Sequence, residues 1–223
     1  NFEKGVQSAN APTNSSVASP AIKFNQGAAI SAAQAGLVAL VAPQVSNAGT
    51  ITANLGTILL AGGVTAFTLD LYGDGLINFD VTDKIAAGAV SKDTVLVTNT
   101  STGKLSSPGG HVQLTAQAAD GVVSTLVNAG GQVDAGEKGS ISIQGIGGNI
   151  TISGDLLAKG SDAATGGTVS INASDGAVAT TATSKIDTSG DTDSGDITIQ
   201  AQRPSQLAGT ITTPGKVGIT IPS

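Results

Sequence analysis

A short phrase, a glycine followed by alternating aliphatic and small polar residues, returns at nearly constant intervals in the second half of the chain. It reads GHVQLTA from Gly110, GSISIQG from Gly139, GTVSINA from Gly167 and GDITIQA from Gly195. The leading aliphatic residues are 29, 28 and 28 residues apart: Val112, Ile141, Val169 and Ile197. Repeats of this length are typical of solenoids. The repeat therefore predicts stacked coils and not a fold around one centre.

Each repeat divides into three short apolar segments. Ile141 is followed by Ile150 and Leu157, and Val169 is followed by Val178 and Ile186. Three strands per coil, with the next glycine-led strand lying on the previous one, predict an all-β fold: a right-handed parallel β-helix, a three-sided solenoid. At a strand spacing of roughly 4.8 Å, about nine coils would form a rod on the order of 45 Å long.

Alternation along the glycine-led strands predicts which side chains face inward. The expected inward pairs are Ile141 and Ile143, Val169 and Ile171, and Ile197 and Ile199, with Ser142, Ser170 and Thr198 facing solvent. Earlier in the chain, the segments GLVALVAP from Gly36, GTITA from Gly49 and GTILLA from Gly56 also predict short strands.

The composition suits identical layers and excludes several classes of function. Of the residues, 39% are hydrophobic but only 2% are aromatic, so Ala, Val, Ile and Leu must fill the interior. The net charge of −6 argues against a nucleic-acid partner. The chain has no cysteine, which excludes disulfides and thiolate metal sites. The run from Gly36 to Pro43 is too short to span a bilayer, and the start at Asn1 without Met leads us to expect a fragment or processed product.

The segment from Gly36 to Val81 carries a more specific pattern. Its elements are the apolar run ending Ala42-Pro43, the turn from Val45 to Gly49, the stretch Leu60 to Gly63, and LDLYGDGL from Leu69. In these elements the chain resembles the haemagglutination-activity, or secretion, domain of two-partner secretion exoproteins, the filamentous-haemagglutinin-like adhesins. One departure is the lack of any Asn-Pro pair, since such motifs lie upstream in the family's export region.

The resemblance implies an organisation and a role. Residues 1–26 would be an irregular polar lead-in or cap with at most one short strand, 27–90 the C-terminal part of a secretion-type domain, and 91–223 the first repeats of a β-helical shaft. It implies export through an outer-membrane transporter partner, residence outside the cell or on the bacterial surface, and attachment to a host or neighbouring cell through a protein or glycan receptor. No catalytic, cofactor or metal residues are expected.

Three candidate sites have plainer structural interpretations. His111, the only histidine, would have to serve any serine triad, with a partner such as Ser140, but an exposed strand residue is the preferred interpretation. Asp187, Asp191, Asp193 and Asp196 could gather around Ca²⁺, but they lack the EF-hand spacing and a solvated loop is favoured. Asp70, Asp74 and Asp80 lie in the LDLYGDGL region, where Asp74-Gly75 predicts a turn.

Polysaccharide lyases and glycosidases, which also use β-helices, provide the alternative function. They need clustered charges and aromatic platforms, whereas Tyr72 is the only tyrosine and tryptophan is absent. An ice-binding array would need Thr in register on successive coils, beyond the pairs Thr50/Thr52 and Thr210/Thr212. The open strand edges of a solenoid further predict end-to-end association of chains, or a longer continuation of the stack.

Overall fold

The structure, a computed structural model, describes residues 20–63, 85, 90–160, 165–191, 193, 195–213 and 215–222. Within these residues all regular secondary structure is β-strand. The strands are β1 (Ala21–Phe24), β2 (Ala29–Ser31), β3 (Leu37–Ala42), β4 (Gln44–Asn47), β5 (Thr50–Thr52), β6 (Thr57–Gly62), β7 (Val97–Asn99), β8 (Lys104–Ser106), β9 (His111–Gln117), β10 (Thr125–Ala129), β11 (Gln132–Asp134), β12 (Ser140–Ile146), β13 (Asn149–Ile152), β14 (Asp155–Leu157), β15 (Thr168–Ser174), β16 (Val178–Thr180), β17 (Lys185–Asp187), β18 (Ile197–Ala201), β19 (Thr210–Thr212) and β20 (Val217–Thr220).

Strands at corresponding positions of successive coils pair in parallel and form three sheets. Sheet A has the order β1-β4-β7-β10-β13-β16, sheet B the order β2-β5-β8-β11-β14-β17-β19, and sheet C the order β3-β6-β9-β12-β15-β18-β20. In the last coil of the described chain, a single bridge between Ala179 and Gln206 stands in place of a sheet A strand. The predicted three-sided parallel β-helix is confirmed.

The described residues form seven levels, fewer than the about nine coils predicted for the whole chain. Strand β6 pairs directly with β9, with Ile58 opposite Val112, although 54 residues separate the two in the chain. No coil can lie between two strands that share backbone hydrogen bonds.

The interior consists of continuous columns of aliphatic side chains. Val112, Ile141, Val169 and Ile197 are paired in register, and each is at most 1% exposed. Ile143, Ile171 and Ile199 form a second column beside them and are fully buried. Burial of one such side chain stabilises the fold by about 1.5–3 kcal/mol. The predicted inward residues of sheet C are confirmed.

The inward residue of β14 in sheet B is not Leu157, the aliphatic residue that marks this segment of the repeat, but the residue before it. Leu156 faces inward and is fully buried, whereas Leu157 is only half-buried. Strand β14 has three residues, and its central residue pairs with Val133 and Ile186, both of which are in the core. A strand of this length turns only its middle side chain inward, so Leu157 lies on the outer side.

The glycines that lead the repeated phrase lie at the corner before sheet C and stack on one another. A Cβ atom on Gly167 would collide with the carbonyl oxygen of Gly139, and one on Gly110 would collide with that of Gly56. These carbonyls are close because each accepts a hydrogen bond from the next coil: the N–H of Thr168 donates to Gly139 O at 2.9 Å. Close approach of the backbones therefore explains the glycine of the repeat.

Two buried asparagines interrupt the apolar interior at the end of sheet A. The Asn47 Nδ2 atom donates to Asn99 Oδ1 at 2.8 Å, and Asn99 Nδ2 donates to the carbonyls of Gly103 at 3.3 Å and Gln132 at 3.2 Å. Asn47 Oδ1 accepts from the N–H of Gly49 at 3.2 Å. Both side chains are fully buried, so these bonds satisfy amide groups that would otherwise destabilise the core.

The last coil leaves its inward side chains partly open to solvent. Ile211 is 36% exposed, Val217 45% and Ile219 47%, although each continues a column that is buried in the preceding coils. In the columns of β17 and β18, Ile186, Ile197 and Ile199 are at most 1% exposed. The aliphatic side chains of these columns are therefore fully buried only where a following coil covers them.

A paired substitution tests the column arrangement. Val169→Asp should place an unpaired carboxylate between Ile141 and Ile197 and destabilise the protein by at least about 4 kcal/mol. Ser170→Asp, one residue along the same strand, puts the carboxylate on the exposed face and should change stability by less than about 0.5 kcal/mol. Thermal and urea unfolding followed by circular dichroism measure both variants. Equal midpoints would contradict the assigned interior.

Candidate functional site

The structure brings the predicted pair of His111 and Ser140 into contact on the outer side of sheet C. They are opposite each other on β9 and β12, and His111 Nδ1 lies 2.7 Å from Ser140 Oγ. Burial lowers the pKa of His111 below 6.5, although the neighbouring Gln113 and Ser140 act in the opposite direction. The imidazole is therefore neutral at neutral pH.

A serine–histidine pair needs a third group to orient the imidazole and donors to stabilise an oxyanion. Within the described part of the chain, the hydrogen-bond partner of the imidazole is Ser140, which is not an acid. The same outward column contains Thr57 on the coil before His111 and Thr168 on the coil after Ser140. The sequence favoured an exposed strand residue, but His111 is half-buried and makes a polar contact between adjacent strands.

Three of the four aspartates of the acidic run are exposed, as a solvated loop predicts, but Asp187 is buried. Its Oδ1 atom accepts hydrogen bonds from the N–H of Ser189 at 3.0 Å and from Ser189 Oγ at 2.6 Å, while Oδ2 lies 2.9 Å from Lys185 Nζ. Burial alone would raise the pKa of Asp187, but these hydrogen bonds outweigh it and lower the pKa below 3.8. Asp187 therefore bonds with Ser189 and Lys185 at the corner after β17 and does not join the other acidic residues in a shared site.

The remaining acidic residues of this run are exposed and have separate roles. Asp196 Oδ1 accepts a hydrogen bond from the N–H of Lys216 at 3.0 Å, and Asp193 forms a parallel bridge with Thr165 on the preceding coil. Asp191 is exposed at the loop surface. Across the described residues, no group of three or more His, Cys, Asp or Glu side chains is arranged to hold a metal ion.

A groove that sequence reasoning missed lies where sheet C turns into sheet A. The turns at this corner differ in length from coil to coil. Residues 118–124 separate β9 from β10, but only Gly147 and Gly148 separate β12 from β13, and three residues separate β15 from β16. The long turn 118–124 and residues 202–205, which lead from β18 to the bridge of Gln206 in sheet A, therefore lie on either side of two short turns. We call the resulting cavity the corner groove; it has a volume of about 230 Å³ and is lined by Lys92, Asp120, Val123, Gly147, Asn149 and Arg203.

One ion pair bridges the corner groove. Arg203 Nη2 donates to Asp120 Oδ1 at 2.9 Å, and the two residues are 83 positions apart in the chain. Ser124 N donates to Lys92 O at 3.0 Å, which fixes the backbone beside the Lys92 side chain. Neither Lys92 nor Arg203 belongs to a recognisable motif, since they come together only through coil stacking. The varying turn lengths are the one sequence signal that could have indicated a recess.

Several predicted positions lie outside the described residues or apart from any shared site. Outside the described part of the chain lie Asp70, Tyr72, Asp74, Gly75 and Asp80.

The threonine pairs on β5 and β19 share a sheet but do not form an array. The positions between Thr50 and Thr210 in their outward column are Lys104, Gln132, Asp155 and Lys185.

Comparisons of the chain with protein-family models, with curated proteins and with solved structures found no match. No helix among the described residues is long and apolar enough to cross a membrane.

The burial of His111 predicts a loss of stability at mildly acidic pH. The unfolded chain takes up the imidazole proton more readily than the folded protein, so the free energy of unfolding should fall as the pH drops below 6.5. His111 is the only histidine, so urea unfolding at about pH 7.5 and about pH 5.5 isolates its titration. In the His111→Gln variant, the difference between the urea midpoints at the two pH values should be smaller. A variant with the same difference as the wild type would contradict this assignment.

Removal of the Asp187 carboxylate should destabilise its corner. Asp187→Ala leaves the Ser189 donors without their acceptor, and we expect a loss of about 1–3 kcal/mol at neutral pH. Since the folded pKa of Asp187 is lowered, its contribution is present above pH 3.8 and is lost as the pH falls through the folded value. The difference in the free energy of unfolding between wild type and Asp187→Ala, measured by urea unfolding, should therefore become smaller at acidic pH. Asp196→Ala, at an exposed position, is the matched control, and an equal loss there would refute a special role for Asp187.

Proposed function

We propose that this chain is a β-helical scaffold from a secreted or bacterial cell-surface adhesin-like protein, which attaches to a host or neighbouring cell. The observation that carries the proposal is the unbroken stack of seven coils, with aliphatic columns inside and a mostly polar outer surface. Such a solenoid keeps surface residues at constant spacing over a long face, and its corner turns vary without disturbing the columns. Attachment requires such a surface but no reacting groups.

The sequence resemblance to haemagglutination-activity domains supports the secretion part of the proposal. Three of its four matching elements fall on described structure, at β3, at the β4–β5 corner and at the end of β6, and the fourth, LDLYGDGL from Leu69, lies outside the described residues. Export through an outer-membrane transporter belongs to the proposal because that route is a property of the family. End-to-end association stays a prediction, and the exposed Ile211, Val217 and Ile219 are the surface it would use.

Attachment and polysaccharide cleavage, the alternative function, can be separated in one set of experiments. The purified chain, immobilised on beads, is tested for binding to cells and to a glycan array. The same preparation is incubated with polysaccharides and assayed for new reducing ends and unsaturated products. We expect saturable binding without cleavage, and the Val169→Asp variant serves as a control for the folded state.

Two results would contradict the proposal. Cleavage that depends on the folded state would support the enzymatic alternative instead. Absence of folded-state-dependent binding to all cells and glycans would leave attachment unsupported and count against the adhesin role.

A further inference from the structure

We propose that the corner groove binds the acidic sugar unit of a glycan, with the sugar carboxylate held between Lys92 and Arg203. The inference names a ligand for the proposed attachment function and rests on it. The groove brings together residues from the turns before β7, β10 and β13 and after β18. A ligand there would contact several coils at once.

The charge of the corner groove differs in sign from that of the whole chain. The chain carries a net charge of −6, with ten basic and sixteen acidic residues. Two basic side chains, Lys92 and Arg203, and one acidic side chain, Asp120, line the groove, so its local balance is positive. The positive balance of its lining attracts an anionic ligand to this groove.

The ion pair between Arg203 and Asp120 leaves the guanidinium able to bind a ligand. Their side chains are 53% and 71% exposed, and ion pairs at such exposure stabilise a fold very little. One nitrogen of Arg203, Nη2, donates to Asp120. The guanidinium has five N–H donors in a planar fork that matches a carboxylate, so a ligand carboxylate can share the group or replace Asp120.

The size and lining of the corner groove restrict the ligand further. Its volume of about 230 Å³ is below the usual range for drug-sized molecules, which begins near 300 Å³, and suits a group of one ring. Among the described residues that line it, none is aromatic, so a neutral sugar finds no ring on which to stack. Recognition must depend on charge and hydrogen bonds, which favours a sugar acid over a neutral sugar.

Nuclear magnetic resonance titration of the full chain tests this site. D-glucuronate is the probe, D-glucose is the neutral control, and acetate supplies a carboxylate without a ring. We expect glucuronate to shift the backbone amide signals of Gly121, Gly147 and Gly148 saturably, with weaker binding as salt is added. Glucose should leave them unchanged, and acetate should bind at least several-fold more weakly than glucuronate.

Three variants test which charged side chains take part in glucuronate binding. Arg203→Ala should weaken glucuronate binding about tenfold, because it removes a charge-assisted contact. Asp120→Asn should tighten binding, since it removes the competing carboxylate. Lys104→Ala removes an exposed basic side chain from the outer side of sheet B, away from the groove, and should leave the affinity unchanged. All three positions are exposed, and circular dichroism verifies that the variants fold.

Several outcomes would overturn the assignment. These are absence of shifts at the groove, equal shifts with glucose, equal affinity for acetate, or an Arg203→Ala variant that binds like Lys104→Ala. Equal affinity for acetate would show that the carboxylate alone is recognised and would refute the sugar ligand. If the bead-bound chain still attaches to cells in that case, the inference fails while the proposed attachment function stands.

Discussion

The structure depends on each coil returning the chain to the position it held one level below. Parallel strands in register bond backbone to backbone, and the interior side chains then lie directly over one another. The contact between Gly139 and Gly167 at the corner sets this register, because any side chain there would push the coils apart. Columns such as the one through Ile141 and Val169 follow from that register. Their burial in turn holds the coils together.

This constraint acts on the interior and on the glycine corner before sheet C, and it leaves the corner between sheets C and A free to vary. The turn there has two residues after β12 but seven after β9. Strands β9 and β12 nevertheless stay in register, and β10 and β13 pair with one irregularity between Thr125 and Val127. Function can therefore be placed in the turns without disturbing stability. The corner groove is an example, since it comes from a difference in turn length and from side chains that meet across several coils.

Buried polar groups in the stack are stabilised both by local partners and by partners on the neighbouring coil. Asp187 is satisfied by Ser189 and Lys185, each two residues away, and its burial could not be recognised in a run of acidic and small residues. Asn47 and Asn99 differ, because their amide contact joins two adjacent coils. In both cases the hydrogen bonds compensate for lost hydration, which is why the side chains can lie inside.

The amino-acid sequence by itself determined the fold class and the sheet C columns. A period of 28 or 29 residues and an alternation of two are local patterns that identical coils must repeat. Only the tertiary structure decided the number of levels, the inward choice of Leu156 over Leu157, and the meeting of Arg203 with Asp120. These depend on which strands become neighbours across long intervals, and a strand of three residues carries too few side chains to reveal its own register.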